Sequence, residues 1–282
     1  MAIKNIFLVV IFIATNIFCQ NEINNDSLSI NYKRAALIGG VTAAAFVYGY
    51  GIQNNMWWKG EKSDFHFNWK NDWNYARGAD KIGHCYFGYL VSSIYNDAFT
   101  WSGIEKDKSA LYSGIFTLSY QTFLEVRDGF SKKYGFSWGD FTANLLGSFF
   151  MIMKSGNKFL NDFDVKVSYY PSQKFKDGSN KYIIDDYEST YNWFSVNVKN
   201  LLPVNTKKYF PSFVNLALGH GVKRIDESDS YHELFFSLDW NLEFIKSENW
   251  LIKILKYINK YYHFPAPAIK VYPDVVWYGI KF

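Results

Sequence analysis

The sequence predicts an α+β protein: an N-terminal four-helix unit followed by a small antiparallel β-sheet with one amphipathic helix. Three observations carry this. From Ala35 to about Met153 the chain runs in long apolar stretches of helical character, punctuated by Asn, Asp and Gly. From Asp162 onward apolar residues alternate instead, as in Val165-x-Val167-x-Tyr169, Val196-x-Val198 and Leu234-x-Phe236-x-Leu238-x-Trp240-x-Leu242-x-Phe244. Between such segments, Trp250 to Tyr262 places Leu251, Ile254, Leu255 and Ile258 on one helical face and is stopped by Pro265 and Pro267.

Taken in order, residues 1–19 read as an export signal, with Lys4 as the positive region and an apolar run from Ile6 to Phe18 too short to span a bilayer. Cleavage after Cys19 leaves Gln20 as the new terminus; a lipoprotein reading keeps Cys19 as the acylated first residue, although bulky Phe18 precedes it. Residues 20–32 form a polar linker. The stretch Ala35 to Tyr50, rich in Gly and Ala, is about sixteen residues, short of the roughly twenty needed to cross a bilayer upright, and reads as a buried or half-inserted helix. Residues 53–79 read as a structured loop. A second helix runs from Asp80 to about Trp101, and a third from an Asp107 cap to about Asp128, ended by Gly129. The fourth follows Ser137, where Ser137-Trp138-Gly139-Asp140 has the form of a capping box. The expected division is thus a helical domain over 33–158 and an antiparallel β-rich region over 159–282, with about six strands, each with one face buried. The terminal Val276-x-Tyr278-x-Ile280-x-Phe282 resembles the closing strand of an outer-membrane barrel, but such barrels need about eight strands. Gly219-His220-Gly221 reads as a turn between strands with an exposed histidine.

The formal charge of +4 is spread out with no basic run, which argues against nucleic-acid binding. Cys85 has no intramolecular partner once Cys19 is removed or acylated, so no disulfide is expected and Cys85 reads as a small core residue. Aromatics make up 21% of the chain, and Trp57-Trp58 and Trp69…Trp73-x-Tyr75 suit either a soluble core or a bilayer interface.

The chemistry is concentrated in three polar signatures: Asp80-Lys81-x-x-His84, Glu125-x-x-Asp128-Gly129 and Asp140-x-x-x-Asn144-x-x-Gly147. Positions four apart share a helix face, so Asp80 with His84, Gln121 with Glu125, and Asp140 with Asn144 each project together. Buried charges are expensive unless paired, which favours one shared cluster of Asp80, Lys81, His84, Glu125, Asp128, Asp140 and Asn144. The alternatives are a structural polar network, a ligand or lipid-headgroup site, and a catalytic or metal-assisted site. In the catalytic reading His84 is acid or base, Asp80 orients it, and Glu125 or Asp140 assists. Asp80, Asp140 and Asp128 can each be explained as caps or turn residues; His84 and Glu125 lie inside apolar runs and cannot. No metal is assigned, no cofactor follows from the residues, and phosphate-loop, Gly-x-Ser-x-Gly, His-Glu-x-x-His and Cys-x-x-Cys motifs are absent.

The order of these signatures over about residues 75–155 resembles the YfiM-like predicted periplasmic lipoproteins, a family built on a domain of unknown function (2279), and is distantly similar to VanZ-like membrane proteins. The tail, with Ser237-Leu238-Asp239-Trp240-Asn241 and Pro265-Ala266-Pro267, resembles the extension of longer family members. The resemblance implies an envelope location, periplasmic or outer-membrane associated, and a membrane or envelope component as partner. The expectation is an exported cell-envelope protein with a membrane-associated structural or binding role. The alternatives are an enzyme acting on a lipid-linked or cell-wall substrate, or an outer-membrane barrel-like protein.

Overall fold

A computed structural model describes residues 30–179 and 182–282. The expected signal peptide, Cys19 and most of the linker lie outside the described residues. The architecture is α+β, and the chain divides into two compact units: residues 30–75 with 84–156, and residues 76–83 with 157–282.

The first unit is a four-helix bundle of α1 (Tyr32–Met56), most of α2 (Ala79–Trp101), α3 (Lys106–Gly129) and α4 (Trp138–Gly156). Asn31 starts α1 by accepting a hydrogen bond from the Arg34 amide at 3.1 Å. This helix extends well past the apolar stretch, because Gln53, Asn54 and Asn55 continue it as readily as apolar residues do. At 25 residues it reaches about 37 Å, so it is long and apolar enough to cross a bilayer. Asp107 does not cap α3; Glu105 takes the cap position without a side-chain hydrogen bond, leaving Asp107 in the first turn, where its charge favours the helix dipole.

Helices consecutive in the chain run in opposite directions. Thr42 meets Tyr95 at 3.0 Å and Arg34 donates to the Trp101 carbonyl at 2.8 Å, so α1 and α2 are antiparallel. Tyr120 donates to Gln53 at 3.1 Å while Phe46 packs on Tyr120 and Phe123, setting α3 alongside α1. The polarity of α3 and much of α4 is inverted. Most of their buried positions are small or polar, namely Ser109, Ser113, Gly114, Thr117, Gln121 and Glu125 on α3 and Ala143, Asn144, Gly147 and Ser148 on α4, although Met151 on α4 and Tyr86 and Tyr89 on α2 are buried too. Large apolar residues of α3 and α4, including Leu111, Ile115, Leu145, Leu146, Phe149 and Met153, face outward. Small residues inside and bulky apolar ones outside is how helices pack when the surrounding solvent is lipid.

In the second unit six antiparallel strands follow one another as a meander: β1 (Phe163–Tyr169), β2 (Thr190–Val196), β3 (Val214–Lys223), β4 (Tyr231–Trp240), β5 (Ala266–Tyr272) and β6 (Val276–Lys281). The amphipathic helix α5 (Trp250–Tyr261) precedes β5, and the segment after it bridges to β1, where the His263 amide donates to the Val167 carbonyl at 2.9 Å. Several sequence expectations are corrected here. β2 ends at Val196, since the Asn197 side chain caps a helical turn that takes Val198. β4 ends at Trp240, and Leu242–Phe244 form a 3-10 turn. Gly219-His220-Gly221 is no turn but the middle of β3: a Cβ on Gly219 would run into the Trp193 ring and one on Gly221 into the Tyr191 ring, so both glycines make room for aromatics.

The largest correction concerns which face of the sheet is buried. The alternation of apolar residues predicts an apolar face turned inward; the structure buries the other face. Lys166, Ser168, Ser195, Asn215, Glu233, Ser237 and Asp239 are buried beside Tyr191, Trp193 and Phe235. The polar residues are matched: Asp239 Oδ2 accepts from Lys166 Nζ and from Ser195 Oγ, both at 2.5 Å, and Lys270 Nζ pairs with Glu233 at 3.1 Å. Trp193 Nε1 donates to Ser168 at 2.8 Å, with its ring stacked on buried His263. Because each buried charge has a partner within the unit, the polar face can be sealed.

Candidate functional site

Three helices of the bundle deliver the cluster to one end of it. His84 lies in the second turn of α2, Gln121 and Glu125 are one turn apart near the end of α3, and Asp140 and Asn144 are one turn apart at the start of α4. His84 Nδ1 lies 3.0 Å from Asn144 Oδ1, within hydrogen-bond distance. Gln121 Nε2 donates to the same oxygen at 2.6 Å. Glu125 Oε1 stands 3.9 Å from His84 Nδ1, and Asp140 Oδ1 3.7 Å from Nε2.

The helix ends explain why the acids point there. Ser137 caps α4 by accepting from the Asp140 amide at 2.9 Å, but the capping box is only half formed. The Ser137 amide donates to Glu125 Oε2 at 3.4 Å, leaving the Asp140 carboxylate turned to His84. Asp72, a buried loop residue that sequence reasoning missed, holds the same helix start, accepting from Ser137 Oγ at 2.5 Å and from the Gly139 amide at 2.9 Å. Its Asn- and Lys-rich surroundings gave no signal of this. Gly147 continues the face one turn on, against the backbone of Cys85 and Tyr89, and sets the separation of α2 and α4.

Not every expected member joins this group. Asp128 accepts from Trp58 Nε1 at 2.6 Å, with Arg127 over the Trp58 ring. Lys81 pairs with Asp80 at 3.0 Å, and Asp80 also accepts from Tyr187 at 2.7 Å. Asp80 is one turn before His84 on α2 but falls in the second unit, so the group this unit brings together is His84 with Gln121, Glu125, Asp140 and Asn144.

The site is open on one side. Glu125 and Asn144 are sealed, at 2% and 0% exposure, whereas the His84 side chain is 29% exposed. Two buried atoms, Asn144 Nδ2 and Gln121 Oε1, find no hydrogen-bond partner among the described residues. Around the same end lies a shell of rings: Phe65, Phe67, Phe136 and Trp138 pack edge to face, and Trp69, Trp73, Tyr75 and Trp138 are exposed. His84 thus has Asn144 at Nδ1 and Asp140 at Nε2, a setting in which an imidazole can accept or deliver a proton.

No curated protein and no solved structure matches the chain. Residues 67–155, which contain His84, Gln121, Glu125, Asp140, Asn144 and Gly147, match the model of a family described as predicted periplasmic lipoprotein (DUF2279).

Proposed function

We propose that this is an exported protein of the cell envelope whose helical unit sits in a membrane and binds the polar group of an envelope amphiphile at the His84 cluster. The family match supports the envelope location. The inverted polarity of α3 and much of α4 supports membrane insertion. The observation that carries the binding role is partly exposed His84 standing over buried Glu125, Gln121 and Asn144, the last two holding polar atoms with no partner among the described residues. A sealed structural network would satisfy those atoms internally. The exposed Trp and Tyr residues around the same end suit the level where lipid headgroups lie. The Asp140 carboxylate, beside the partly exposed His84, suits a headgroup bearing N–H or O–H donors.

The test is native mass spectrometry of the full chain released from nanodiscs of phosphatidylethanolamine, phosphatidylcholine or phosphatidylglycerol. Retention of phosphatidylethanolamine by the wild type, and its loss in His84→Ala and Glu125→Gln at unchanged unfolding temperature, is the expected result. Loss of stability in both variants without selective lipid retention would mean a structural network. A second reading, acid–base chemistry on a lipid-linked substrate, is favoured by one feature: His84 stands between two carboxylates with Nε2 directed to Asp140.

A further inference from the structure

The β unit carries a second membrane-directed surface, separate from the helical site. The strand register lines up one apolar row across all six strands: Val165, Phe194, Leu218, Phe236, Ile269 and Trp277. A parallel row of Phe163, Val196, Leu216 and Leu238 lies beside it. Both point to the outer face, where Phe194, Leu216, Leu218, Phe236 and Trp277 are exposed, the last at 76%. On the inner face the polar residues are sealed, with Lys166 at 1% and Asp239 at 0%. A sheet in water with one polar and one apolar face turns the polar one outward. Sealing the polar face and presenting a continuous apolar one is the arrangement suited to a hydrocarbon solvent.

We propose that this outer face of the sheet inserts into the acyl region of one bilayer leaflet. The dimensions select one leaflet over a full span. On β4 the outward apolar residues run from Leu234 to Trp240, about 20 Å along the strand, or about 14 Å at the tilt common for membrane strands. The hydrocarbon core is about 30 Å thick, so the band matches the roughly 15 Å of one leaflet. Beyond the Phe194–Leu218–Phe236 row the face turns partly polar: Asn192 and His220 lie level with Leu234, and His232 lies level with Val222, which is buried against Ala76 and Ala79. His220 and His232 hydrogen-bond to each other at 3.0 Å, a polar pair directly beyond the apolar row. Six strands are too few for a pore of the outer-membrane type, and insertion by one face needs no pore.

The test uses the full chain in liposomes containing a phospholipid with a diazirine in its acyl chain, with adducts mapped by peptide mass spectrometry and hydroxyl-radical footprinting in parallel. Leu218, Phe236 and Trp277 should carry adducts at least five-fold above the exposed loop 226–230, while Lys166, Ser195 and Asp239 carry none. Oxidation by hydroxyl radicals without lipid adducts would put this face in water, and protection from both reagents would mean that protein covers it; either result overturns the proposal. Labelling of α1 in the same experiment reports on the helical unit separately, so the two readings can fail independently.

Discussion

Gly147→Ala is the substitution through which helix packing and the site can be tested together. A Cβ at this position would lie 2.0 Å from the Cys85 carbonyl oxygen and 2.9 Å from the Tyr89 amide nitrogen. Ordinary contact begins near 3.4 Å, and the obstructing atoms are backbone, so α2 and α4 must part by roughly 1.4 Å. His84 and Asn144 sit on these same two helices, and a shift of that size stretches their 3.0 Å hydrogen bond to about 4 Å, beyond bonding range. Overpacking contributes about 1–3 kcal/mol and the lost hydrogen bond about 1 kcal/mol, for an expected destabilisation of about 2–4 kcal/mol. The assay is chemical unfolding of the full chain in nanodiscs, for Gly147→Ala, Asn144→Ala and the double variant. Because Gly147→Ala already breaks the Asn144 contact, the double variant should fall short of additivity by about 1 kcal/mol. A Gly147→Ala protein within 0.5 kcal/mol of wild type, or strict additivity, would refute the argument that this glycine positions the cluster.

Other consequences can be measured directly. Lys166→Met leaves Asp239 charged and buried and should destabilise the β unit by about 3–5 kcal/mol in an unfolding titration, while adding Asp239→Leu should recover most of that loss. Asp72→Ala removes the acceptor for Ser137 Oγ and the Gly139 amide, and should cost about 1–2 kcal/mol by loss of the α4 cap, seen as faster amide exchange over 138–141. Burial, reinforced by the neighbouring Lys223, pushes Lys281 down to about 8 from 10.5. The unfolded chain therefore holds the extra proton between those values, and stability should rise as pH goes from about 8 to 10.5; the rise should shrink in Lys281→Met, measured by denaturant midpoints at pH 7.5 and 9.5.

The sequence by itself determined the fold class, because helical and alternating periodicities are local properties and switch cleanly after Gly156. It also marked His84 and Glu125, since ionisable residues inside apolar helices stand out without any knowledge of their partners, whereas Asp140 and Asn144 were marked only by their shared helix face. Spacing alone could not sort the cluster. Asp128 turned to Trp58, a choice made by a residue 70 positions away in sequence, and Lys81 to its neighbour Asp80. Gly219 and Gly221 looked like a turn because glycine punctuates loops, and only the rings of Trp193 and Tyr191 on the adjacent strand explain them within β3. The face of the sheet that would be sealed was likewise beyond the pattern. Alternation says that two faces differ, but which one is buried depends on whether its charges can be paired across strands. Lys166 meets Asp239 from 73 residues away and Lys270 meets Glu233 from 37, so that decision belongs to the tertiary structure.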